Sequence, residues 1–195
     1  MEVFVTKNVL WLASALTAIV ALLAGVLYFT RSPSLHGAVI DPPMEAADFQ
    51  LTDFNGAPFT LSELRGTPTV LFFGYTNCTD ECPLTMAHLK LAVDMLGEQA
   101  ANVRVIMITT DPGRDTPEAM KGFLAKFDEA FIGLVGTPEQ LATVWRAYGV
   151  AVEDGGETHS NYVYVLDSAG KLRETFLADS LPADEAADLR LLLKE

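Results

Sequence analysis

The stretch Thr69-Val-Leu-Phe-Phe-Gly-Tyr-Thr-Asn-Cys-Thr-Asp-Glu-Cys-Pro83 holds both cysteines of this 195-residue chain. Its first half, Thr69–Tyr75, is apolar on consecutive positions, as a strand covered on both faces requires. The cysteines follow at once. Cys78 and Cys82 are four positions apart, a spacing that on a helical turn brings side chains to roughly 5–6 Å at Cβ. Pro83 suits the first turn of a helix, so Cys82 is expected at the N-cap or beside it, where the helix dipole stabilises a thiolate and lowers its pKa. A strand, a dithiol loop and a helix point to redox exchange, metal binding, or both.

Working outward, Asp48–Asp53 and Pro58–Leu61 alternate apolar and polar residues around Asn55-Gly56, the pattern of a hairpin. Downstream, the spacing predicts a helix from Pro83 to about Leu96 with Gly97 as its stop, and Val103–Thr109 reads as the next strand. Thr116-Pro117 opens a helix running to about Phe127, and Thr137-Pro-Glu-Gln140 opens another with a capping-box pattern, ending near Tyr148-Gly149. Asn161–Leu166 and Lys171–Phe176 form a second hairpin around Ser168–Gly170, and Pro182–Lys194 is a closing amphipathic helix. This order predicts an α/β domain with a mixed sheet and helices on both faces.

In such sheets ligands meet the loops beyond the carboxyl ends of the parallel strands. Cys78 and Cys82 lie on one such loop and Asp111-Pro112 on the next. His159, at the end of the loop 154–160, enters the Asn161 strand; if that strand runs antiparallel to Thr69–Tyr75, all three side chains reach one edge. A Cys₂His set suits zinc, and thiolates also select Cu(I). A small disulfide loop in an exported domain is the plainer alternative. Met86 reads as core filler, His88 as a helix-surface residue and His36 as part of a polar lead-in, so none is expected to be a ligand. Asp111 and Arg114 read as turn and cap chemistry or as contacts for a partner. Asp80 and Glu81 favour a cation or are solvated loop charges.

The formal charge is −13, and Glu2, Lys7 and Arg31 are the only charged side chains up to position 31. The acidic remainder argues against nucleic acid as a partner. Asn8–Phe29 carries no charge; as a helix rising ~1.5 Å per residue it spans about 33 Å, against a hydrocarbon core of roughly 30 Å. We expect residues 1–31 to form a signal anchor with a transmembrane helix at about 8–29, residues 32–47 a tether, and residues 48–195 one domain. The short leading segment is expected to stay cytoplasmic, and its brevity favours a bacterium.

Three motifs in order carry a resemblance: Phe72–Pro83, Thr110-Asp-Pro-Gly-Arg-Asp-Thr116, and Thr158-His-Ser160 before a Tyr-x-Tyr strand. Behind one anchor, they resemble the Sco/SenC family from about Asp48 to the C-terminus. The resemblance implies a thioredoxin-like fold that binds one copper through Cys78, Cys82 and His159. It implies a metallochaperone, not an enzyme, that helps assemble the dinuclear copper centre of cytochrome c oxidase subunit II. The expected site is the bacterial inner membrane with the domain in the periplasm, and the expected partners include other copper chaperones or thioredoxin-like reductants. The alternatives are a thiol-disulfide reductase that keeps the oxidase cysteines reduced through Cys78 and Cys82, or a redox or copper sensor. Asn77 and Thr79 stand where the family often has histidine and proline, and Thr158 where aspartate is common. Glu157 is the nearby carboxylate available to orient the imidazole.

Overall fold

Every residue of β4 (Thr69–Gly74) is buried. It pairs in parallel with β5 (Arg104–Thr109) and antiparallel with β9 (Tyr162–Leu166). Alternate side chains serve two cores: Val70 and Phe72 point into one, Leu71 and Phe73 into the other. Burying each phenylalanine contributes roughly 2 kcal/mol of transfer free energy. The computed structural model describes residues 34–153 and 158–195, together with residues 11, 13, 16, 17 and 19–23. The chain divides into two units, Met1–Ser34 and Leu35–Glu195.

Within the second unit an eight-stranded mixed sheet has the order β1-β10-β9-β4-β5-β6-β2-β3. The other strands are β1 (Ala38–Glu45), β2 (Gln50–Asp53), β3 (Pro58–Thr60), β6 (Ile132–Val135) and β10 (Lys171–Leu177). One face is covered by α1 (Glu81–Met95), α2 (Pro117–Leu124) and α4 (Pro182–Leu192), the other by α3 (Pro138–Ala147). Both expected hairpins are present, as β2–β3 and β9–β10. The caps of α2 and α3 are those read from the sequence, whereas α1 opens at Glu81, two residues before Pro83. Thr116 Oγ1 accepts from Ala119 N at 3.2 Å, and Thr137 and Gln140 exchange both bonds of a capping box.

Two segments differ from expectation. The stretch read as a tether, 32–47, contains β1, which pairs antiparallel with β10 along the sheet edge. Pro42 and Pro43 disguised it, because proline is tolerated in a strand only at an edge or an irregularity. Both conditions hold, since the register shifts between Val39 and Met44. The lead-in is also fastened: His36 N and Nδ1 each meet an Asp188 carboxylate oxygen at 2.6 Å, and Gly37 N donates to Glu174 Oε2 at 3.0 Å. The second omission is β6, whose four residues include Gly133. A Cβ there would stand 2.0 Å from Met120 Cγ, so close packing of α2 on the strand excludes a side chain that would have marked it.

A separate two-stranded ribbon pairs β7 (Val152–Glu153) with β8 (Thr158–His159), His159 standing opposite Val152. Residues 154–157, with Glu157 among them, lie outside the described residues. So does most of the span expected at 8–29. Among the described residues no helix is long and apolar enough to cross a membrane.

Candidate metal centre

The loop after β4 delivers Cys78, and α1 begins three residues later with Asp80 as its N-cap, which places Cys82 inside the first turn. Cys82 N donates to Cys78 Sγ at 3.4 Å, so the first thiol accepts from an amide that the helix itself leaves unpaired. The Cys82 side chain is buried in the core with Met86 and Phe72, with 0% exposure, and Cys78 packs partly buried against the same core. The cysteines are not joined.

This burial reverses the expected activation. Burial pushes the Cys82 thiol well above its ordinary pKa. Cys78 lies below its ordinary value: burial opposes this, but the backbone N–H groups of Cys82 and Asp80 outweigh it. The helix N-terminus thus acts on the residue before the helix, while the cysteine within the first turn is shielded by apolar neighbours.

The antiparallel course of β9 brings His159 to the same edge. Its Nε2 lies 3.8 Å from Cys82 Sγ, and its Nδ1 is 3.0 Å from Ser160 O. With Nδ1 donating to that carbonyl, Nε2 offers its lone pair toward the thiols. Phe72 and Tyr75 flank the imidazole at steep interplanar angles, with ring centroids 6.4 and 5.9 Å away. Among the described residues no three cysteine, histidine or acidic side chains already form a metal-binding group. Cys82 and His159 are in contact, and Cys78 is bonded to the same turn. Two thiols and an imidazole, in an apolar surround, fit a soft cation.

Several supports were not identified from the sequence. Asp115, 5% exposed, accepts from Thr76 N at 3.2 Å, from Thr76 Oγ1 at 2.6 Å and from Thr109 Oγ1 at 2.6 Å. It ties the cysteine loop to the end of β5. Glu81 Oε2 accepts from Asn161 Nδ2 at 3.1 Å, which joins the start of α1 to the entrance of β9. Gly74 is needed for space, since a Cβ there would stand 3.0 Å from Cys82 Sγ. Asp111 and Arg114 form an ion pair, and the guanidinium lies over the Tyr75 ring. Met86 is core, as expected. His88 is half-buried in α1, and His36 is bonded to Asp188.

A dithiol loop at the head of a helix, faced by an imidazole from a later strand of a mixed sheet, defines a thioredoxin-like domain with a soft-metal donor set. The SCO1/SenC family model matches residues 38–194. The chain belongs to that family. A SCO2-like protein of Rickettsia conorii is 33% identical over 152 residues, covering 73% of this chain and 74% of the relative. ScoI of Bradyrhizobium japonicum, solved with copper bound, is 36% identical with a TM-score of 0.70, covering 76% of this chain and 99% of its own. Yeast Sco1, also solved with copper bound, is 26% identical with a TM-score of 0.70 over 78% of this chain and 90% of its own.

Proposed function

We propose that this chain is a membrane-anchored copper metallochaperone of the bacterial cytoplasmic membrane, its domain in the periplasm, delivering copper to subunit II of cytochrome c oxidase. The observation that carries the reading is the Cys82–His159 contact, 3.8 Å between atoms 77 residues apart, with Cys78 bonded to the same helical turn. Copper is cargo. The two thiolates suit Cu(I), and the imidazole adds the harder nitrogen that Cu(II) prefers. Cys78, on the loop and only partly buried, is the ligand an incoming thiolate from the acceptor reaches first. Ligands are then exchanged one at a time, and no free ion is released.

The anchor rests on the uncharged run Asn8–Phe29. Its described residues are helical, with Trp11, Leu16, Ile19, Val20, Leu22 and Leu23 all exposed, as side chains facing lipid would be. The thiol-disulfide reductase reading is less favoured, since Cys82 is sealed against the imidazole that a reductase does not need.

The test is copper binding by the whole chain in detergent under anaerobic reduction. One Cu(I) per chain is expected, lost in Cys78→Ser and in Cys82→Ser, with Cu(II) binding lost in His159→Ala. Absence of stoichiometric copper in the unaltered chain overturns the reading. Full oxidase assembly in cells carrying His159→Ala would favour the reductase instead.

A further inference from the structure

Tyr75, the residue between β4 and the cysteine loop, meets two of the three proposed ligands. Its backbone carbonyl accepts from Cys78 N at 3.4 Å. Its ring stands at 90° to the His159 imidazole, centroids 5.9 Å apart. The guanidinium of Arg114 lies 5.9 Å from the centre of the same ring and is paired with the buried carboxylate of Asp111. A chain of contacts therefore runs from Asp111 through Arg114 and Tyr75 to the imidazole.

Resting on the copper reading, we propose that Tyr75 is a positioning residue of the site, its ring setting the plane of His159, with Arg114 holding the ring in place. A ring packed against the imidazole restricts its rotation, so less ordering remains to be done when a metal arrives. The Arg114 cation over the ring face adds an attraction that keeps the ring from swinging into the loop.

The sequence places Tyr75 directly after the strand, where an apolar run needs only an aromatic to end it. Nothing in that pattern distinguishes a core-capping ring from one that meets the imidazole. The register of β9 against β4 creates the difference, because it brings His159 beside the ring from the far side of the chain.

Two substitutions test the role of the ring. Tyr75→Phe keeps it; Tyr75→Leu removes it. On the metal-free whole chain, NOE contacts between the His159 imidazole and the Phe72 ring, which both variants retain, read where the imidazole sits. These contacts are expected to persist in Tyr75→Phe and to weaken in Tyr75→Leu. Copper affinity is expected to stay near that of the unaltered chain in Tyr75→Phe and to fall about tenfold or more in Tyr75→Leu, the usual scale for losing a group that orients a ligand. Arg114→Met, which leaves Tyr75 intact, guards against a folding artefact and is expected to weaken the same contacts by less. If Tyr75→Leu leaves those contacts as they are in the unaltered chain, the positioning role is overturned, whether or not copper binds. If the unaltered chain binds no copper, the metallochaperone reading falls, and the metal-free measurement still decides for or against Tyr75.

Discussion

His36 and Asp188, 152 residues apart, are joined twice, through the histidine backbone N–H and through its ring, at 2.6 Å each. Asp188 in turn sits against Glu174, and both carboxyl groups are fully buried. Burial, then the Asp188 charge, lifts Glu174 from an ordinary 4.5 to about 8. Burial, then Asp184, lifts Glu185 to about 8. The Asp188 hydrogen bond and charge, with a smaller share from Asp184, raise His36. All three groups bind protons more tightly folded than unfolded. Their contribution is complete at low pH and is lost as pH rises, for the two glutamates between about 4.5 and about 8. Thermal melts are therefore expected to show a domain less stable at about pH 8.5 than at about pH 5. Glu174→Gln, which mimics the protonated carboxyl, should flatten part of that slope. A slope equal to that of the unaltered chain would refute the assignment to Glu174.

Asp115 serves three donors, two on the cysteine loop and one at the end of β5. Asp115→Ala strands the fully buried Thr109 hydroxyl and the Thr76 amide, at a cost of about 2–4 kcal/mol. Urea unfolding measures this. Asp115→Asn should cost less, because one amide oxygen still accepts. A loss below about 0.5 kcal/mol for alanine would mean that water replaces the carboxylate and the loop is held elsewhere.

Gly74 is the last residue of β4, and an added methyl meets the Phe72 ring at 2.7 Å as well as the Cys82 sulfur. Gly74→Ala is expected to destabilise the domain by about 1–3 kcal/mol through overpacking. It should also push Cys82 away from His159, so copper binding weakens. Isothermal titration with Cu(I) competition is the check. Unchanged affinity in a folded variant would show that the sulfur has slack in this direction.

The cysteines should differ in reactivity. Cys78 is partly exposed and favoured as a thiolate, whereas Cys82 is buried with its thiol form favoured. Brief treatment of the reduced, metal-free chain with iodoacetamide, followed by mass spectrometry, should modify Cys78 well before Cys82. Comparable rates would contradict the difference in burial described above.

Local patterns made most of the architecture readable in advance. Threonine-proline caps, consecutive apolar residues in β4 and the alternation of β9 and β10 each depend on a few neighbours, and the antiparallel course of β9 is what brings His159 to the cysteines. The reading failed where a distant partner chose the residue. Gly133 is a glycine because of Met120, and it hid β6. Pro42 and Pro43 made β1 look like a linker because an edge position was not visible in sequence. Asp115 drew no reading of its own, because its three donors come from the distant Thr76 and from Thr109. Which cysteine is activated depended on which side chain the core buries, which four-residue spacing leaves open.

His159 does not belong to the sheet that carries the cysteines. It sits on the ribbon of β7 and β8, joined to the main body by the chain on either side and by the packing around its ring. An ion held by all three side chains would cross-link the head of α1 to that ribbon and close a loop of chain from Cys82 to His159. Such closure restricts the open conformations of the enclosed segment much as a disulfide does. On the proposed reading, loading would then stiffen the ribbon and loss of the ion would loosen it.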